Sequence, residues 1–301
     1  MRSSRTLHTF KEKRVSYFAA AFMKFRRSGA DGWDNIKRSC KLNYETATDS
    51  SGRTLDVADA PPDVWRCLAE PSCRYTLFVE PSKSVDLINV PFDRFVAFLF
   101  DHDVDHNIPP ESEKYDPWYF HVEVEFDAKN IADYYVRMFE EPEFLLTRFT
   151  KAQLEEGFWA IQGPNLNCSV SRIVEDADLA LAVRERCIRS MADLFKRLFA
   201  MEPFDTSVQM WWDSMCYDWH CGNRKRERGG EDLELQNVLF ETLAKVLAID
   251  SWNCQGAALH GLGHLHHPDT EGLIGRFIEE HPSLTKEQIA YAQAAARFQV
   301  L

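Results

Sequence analysis

The stretch from 231 to 298 constrains this fold more than any other. Apolar residues recur there at helical spacing and the turns are very short, which predicts four consecutive helices over 231–249, 252–267, 270–280 and 286–298. Glu231 and Asp232 suit the positive end of the first helix. Thr285-Lys286-Glu287-Gln288 is a capping box that places the start of the last. Between them runs Cys254-Gln255-Gly256-Ala257-Ala258-Leu259-His260-Gly261-Leu262-Gly263-His264-Leu265-His266-His267. Its small residues let a neighbouring helix come close. The four helices are spaced as two antiparallel pairs, near 231–267 and 270–298, which suits a helix-pair repeat whose sequence has diverged.

The chain has 301 residues, enough for one large core or two smaller ones. Its 45% hydrophobic and 13% aromatic content is that of a folded protein. The net charge is −12. Nucleic acid is therefore not the expected partner, because phosphate binding needs a positive surface, whereas a basic protein partner is compatible. No apolar run approaches the roughly 20 residues of a membrane span. The eight cysteines form no CxxC pair, and they read as reduced, mostly buried thiols of a cytoplasmic protein.

Residues 1–30 hold eight basic residues against Glu12 alone, a charge of +7 that leaves −19 on the other 271. A transit peptide, a basic arm, and upstream sequence before a true start at Met23 all fit. A flexible or dispensable extension is expected. Residues 31–126 read as a smaller, irregular α+β region, with a strand near 75–80, another within 118–126, whose second half alternates, and a short buried helix over 92–100. Asp127 reads as an N-cap. From 127 to 301 the chain is expected to be helical. Thr150-Lys151-Ala152-Gln153 forms another capping box, one long helix is expected over 178–200, and another over 203–219.

The segment Ala257-Ala258-Leu259-His260-Gly261-Leu262-Gly263-His264 resembles the second helix of a HEAT-type repeat, in which a small-residue and leucine pattern ends in a Leu-Gly pair. The likeness covers about fifty residues well. It implies a mainly α fold of stacked antiparallel helix pairs, serving as a scaffold that binds other proteins.

Five groups of residues bear on chemistry. His260, His264 and His267 fall on one helical face and form a candidate metal set, with zinc as the ion. Gly261 stands where a zinc protease carries its glutamate base, so no base is supplied locally. The bland reading is a helix end whose imidazoles meet orphan carbonyls. Asp101, His102, Asp103, Asp105 and His106 offer several ligands but lack the glycine and terminal glutamate of a calcium loop; they read as a solvated acidic run. Cys216, His220 and Cys221 read as buried thiols beside a histidine rather than a nucleophile or zinc set. Arg224, Lys225, Arg226 and Arg228 form a basic loop that suits either a partner's carboxylates or the chain's own. Trp211 and Trp212 cannot share one face of a helix, so either one of them is a candidate interface residue or both are buried between two helix layers.

The main expectation is a non-enzymatic, cytoplasmic protein-binding scaffold without cofactor. One concrete form is a bacterial immunity protein that covers a toxin's basic active site. Its binding surface would carry Trp211, Trp212, Arg224, Lys225, Arg226 and Arg228. The alternative is a metal-dependent hydrolase that uses His260, His264 and His267 with zinc.

Overall fold

The computed structural model describes residues 46–49, 54–56, 75–78, 83–104, 117–202, 204 and 206–300. The basic extension 1–30 lies outside them. The chain is mainly helical, as its periodicity predicts. It divides into two units, Met1–Lys83 with Pro109–Asp116, and Ser84–Ile108 with Pro117–Leu301.

In the first unit, strands β1 (Thr46–Asp49), β2 (Thr54–Asp56) and β3 (Tyr75–Phe78) form an antiparallel sheet in the order β2-β1-β3. Thr46 stands opposite Asp56 on one side and Phe78 on the other.

The second unit takes in residues 84–108 and 117–126, which the sequence pattern groups with the N-terminal region. The reason is apolar packing. Helix α1 (Phe92–Phe100) sets Phe92 and Phe95 edge-on or tilted against Tyr134 and Tyr135 of helix α2 (Ala128–Glu140). Strand β4 (Lys83–Asp86) pairs with β5 (Val122–Glu125) just before α2. Asp127 caps α2 by accepting a bond from the Asn130 backbone N–H. Helix α3 (Phe144–Arg148) leads into α4 (Lys151–Gln162), opened by the Thr150–Gln153 capping box.

Two departures from the sequence reading shape the site. The helix expected over 178–200 begins as α6 (Leu181–Leu194) and widens into a π-turn at Phe195–Phe199, which places Phe195, Leu198 and Phe199 in the core. It is preceded by a short helix that the pattern does not reveal, α5 (Val170–Glu175), capped by Ser169. The helix expected over 203–219 is broken. Helix α7 (Thr206–Gln209) and helix α8 (Asp213–His220) are separated by a turn at residues 210–212. The break resolves the problem of adjacent indoles. Trp211 lies edge-on among Phe139, Phe158, Phe195 and Phe199, while Trp212 stacks on Phe195 at 5.5 Å.

Helices α9 (Gly230–Leu247), α10 (Trp252–Leu265), α11 (Thr270–Glu280) and α12 (Lys286–Ala296) complete the unit. Helix α10 sits at the centre, packed against α7, α8, α9 and α12. Every residue of α10 from Ala257 to Leu265 is buried. Among the described residues, no helix is long and apolar enough to cross a membrane.

A histidine–aspartate cluster between helices

The glycines of α10 explain how the cluster assembles. A Cβ on Gly261 would lie 2.8 Å from both Trp212 Cβ and Leu243 Cδ2, so only glycine admits the turn that ends at Trp212. That close approach delivers the next residue, Asp213, to the face of α10 that carries His260 and His264. Gly263 plays the same part on another side, where its Cβ would meet Val300 Cγ2 at 2.4 Å. Leu262, between the two glycines, is fully buried in the apolar core.

Asp213, His260 and His264 each present one ligand atom, and these atoms lie within 4.8 Å of one another. His260 Nε2 is 2.8 Å from Asp213 Oδ1, and His264 Nε2 is 3.9 Å from the same oxygen. Both histidines are buried, whereas the Asp213 side chain is 22% exposed and connects the cluster to solvent. Asp213 Oδ1 and His260 Nε2 are themselves buried atoms, and their approach lacks the alignment of a hydrogen bond. Ligand atoms of a tetrahedral zinc site stand about 3.3 Å apart. The two separations here bracket that value.

A surrounding layer orients these groups. The Tyr291 hydroxyl of α12 lies 3.0 Å from His260 Nδ1. Burial, with Asp213 adding to it, pushes the Tyr291 phenol up to about 12. His264 meets His260, Tyr217 and His220 ring to ring, edge to face, at 4.6–5.1 Å. His220 Nδ1 lies 3.1 Å from His266 Nε2. His266 ends α10 in the left-handed conformation (φ 55°) and stacks on Phe298. Burial, reinforced by His220, lowers the His266 pKa.

His267, expected in the same metal set, stands apart. Its ring stacks on Phe240, Nε2 lies 3.2 Å from Asn237 Oδ1, and Nδ1 accepts from the Asp269 backbone N–H at 3.2 Å. A neutral ring with its proton on Nε2 satisfies both contacts, so no lone pair is left for a metal. Burial, with Arg226 adding to it against Asp269, pushes its pKa down to about 4. Asp213 takes the third place instead. The pairing of His260 with His264 is visible in the sequence, but no local signal marks Asp213.

The other candidates are placed as follows. Trp211 and Trp212 are both fully buried, so neither presents a surface to a partner; the broken helix, rather than an exposed indole, accommodates them. The basic loop folds onto its own helix. Arg224 pairs with Asp232 at 3.3 Å and lies over the Trp219 ring, and Arg228 donates to the Asn223 carbonyl at 2.7 Å. Arg226 donates to Gln236 and Asn237 at 3.1 and 2.6 Å. Lys225 is tied by its backbone N–H to Asp232. Of the acidic run, His102 stacks on Trp118 with Nε2 2.6 Å from the Phe98 carbonyl oxygen, Asp101 and Asp103 are exposed, and Asp105 and His106 lie outside the described residues. Cys216 is buried, and its thiol is pushed well above its ordinary value by burial and by Asp213, the opposite of what a nucleophile needs. Comparison with protein-family models, curated proteins and solved structures gives no match at any of the three levels.

Proposed function

We propose that the helical unit binds one divalent transition-metal ion, of the zinc class, on Asp213, His260 and His264. The observation that carries this reading is the approach of Asp213 Oδ1 to His260 Nε2. Two buried ligand atoms face each other at 2.8 Å without hydrogen-bond alignment, and a third ligand atom stands close by. An unmet pair of this kind is costly, whereas a cation between the atoms satisfies both. Two imidazoles and one carboxylate form a borderline donor set that suits zinc. Sites of this type commonly build on facing helices. Three protein ligands leave a fourth position for water, and zinc-bound water is acidic enough to supply hydroxide near neutral pH, which supports hydrolytic chemistry. Elemental analysis and calorimetric titration of the purified full chain test this. One zinc per chain is expected in the wild type, and a large loss of affinity in His264→Ala. Equal zinc content in the wild type and that variant sinks the reading.

A second reading, an acidic, HEAT-like, cytoplasmic scaffold for a basic protein such as a toxin, draws support from charge. The basic loop 224–228 is bonded to groups of its own chain, which leaves the −19 carried after residue 30 available to attract a basic partner. The association rate with such a partner would fall as salt rises, and a rate independent of salt excludes the electrostatic part.

A further inference from the structure

We infer that Tyr291 is a positioning residue that holds His260 in its metal-binding tautomer. The inference rests on the metal reading of Asp213, His260 and His264. It begins with the two ring nitrogens of His260. Nδ1 lies 3.0 Å from the Tyr291 hydroxyl, and Nε2 faces Asp213 Oδ1 at 2.8 Å. A proton on Nε2 would give a strong bond to the carboxylate, yet the two atoms are not aligned for one. A proton on Nδ1, donated to the phenol oxygen, leaves the Nε2 lone pair open beside the carboxylate oxygen. That is the arrangement a shared cation requires, and the partner of the remote nitrogen is what selects it.

The fold delivers this hydroxyl with little freedom. The Thr285–Gln288 capping box fixes where α12 starts, and Ala292 and Ala295 let it lie close on the unit. Phe298 and Val300, which follow α12, stack on His266 and pack against Gly263. The terminal segment thus grips α10 at three places, and Tyr291 is the one that meets a ligand.

Two measurements on the full chain test the inference. The first is the tautomer of His260 in metal-free protein, read from nitrogen-15 couplings to the ring protons. The expected result is a proton on Nδ1 in the wild type and loss of that preference in Tyr291→Phe. A proton on Nε2 in the wild type overturns the inference. The second is cobalt(II) titration of the wild type, Tyr291→Phe and Val300→Ala. Tyr291→Phe is expected to bind 10–100-fold more weakly, with its visible bands shifted. Val300→Ala, which loosens the same segment without touching a ligand, is expected to keep the bands in place. Unchanged binding in Tyr291→Phe, or an equal loss in Val300→Ala, overturns the inference. If the wild type itself binds no cobalt, the metal reading fails and takes the inference with it, whereas a failure confined to the variants leaves the metal reading standing.

Discussion

The basic loop 224–228 and the seam between α8 and α10 both attract notice in the sequence because both concentrate polar, chemistry-bearing side chains. They differ in how those side chains are satisfied. In the loop, Arg224, Arg226 and Arg228 find acids, amides or a carbonyl of the same chain within 3.3 Å. In the seam, Asp213 and His260 bring buried atoms together without completing a bond. A dense polar cluster whose members satisfy one another holds a fold together. One whose members converge unsatisfied calls for something further.

The largest expected effect sharpens this contrast directly. Zinc at a hundred times its dissociation constant should stabilise the wild type by about 2.7 kcal/mol, while Asp213→Asn should gain far less. Denaturant titration with and without zinc reads the difference, and an equal gain in both proteins breaks the contrast. Next comes the packing beneath the seam. Gly261→Ala forces a methyl into Trp212 and Leu243 and should cost roughly 1–3 kcal/mol by denaturant melting of metal-free protein. A neutral result would mean that α8 stands farther from α10 than described.

The third test concerns His267, which shares Asn237 with Arg226 of the loop. Its pKa near 4 in the folded chain lies below the roughly 6.5 of an unfolded histidine. The unfolded chain therefore takes up the proton first. The stability His267 contributes is complete above pH 6.5 and is lost as pH falls toward 4. By pH 5 the loss should reach about 2 kcal/mol, and it should be smaller in His267→Gln, as melting curves across that window will show. An identical pH profile in that variant assigns the effect elsewhere. The smallest effect belongs to the loop's outer edge. Arg228 is 57% exposed, and Arg228→Ala should change stability by no more than about 0.2–1 kcal/mol with zinc affinity unchanged. A change in zinc affinity in that variant would erase the distinction between loop and seam.

What could be read from the sequence was local. The Asp127 cap, the capping boxes at Thr150 and Thr285, and the helix at Phe92–Phe100 are set by neighbours in the chain, and each is where the pattern places it. The break at residues 210–212 was hidden because helix propensity does not register that two indoles need separate pockets. Helix α5 was hidden because six residues are too few to show a period. The seam was half legible. His260 and His264 announce themselves by spacing, and His267 falls away because α10 ends in a left-handed turn at His266. Asp213 and Tyr291 arrive from other helices, through glycine-sized gaps and tertiary packing that periodicity cannot encode. From Ala257 to Leu265 helix α10 is buried on every side, so that stretch lacks the polar face by which a helix is usually recognised.

The gap at Gly261 has an optical consequence. It seats Trp212 directly before Asp213, with its indole buried and stacked on Phe195. An ion that quenches or absorbs indole emission, once held by Asp213, would sit on the residue next to the one that carries that ring. The protein thus carries a native fluorophore beside the seam, and the share of its eight tryptophans' emission that Trp212 supplies can report occupancy without any added label.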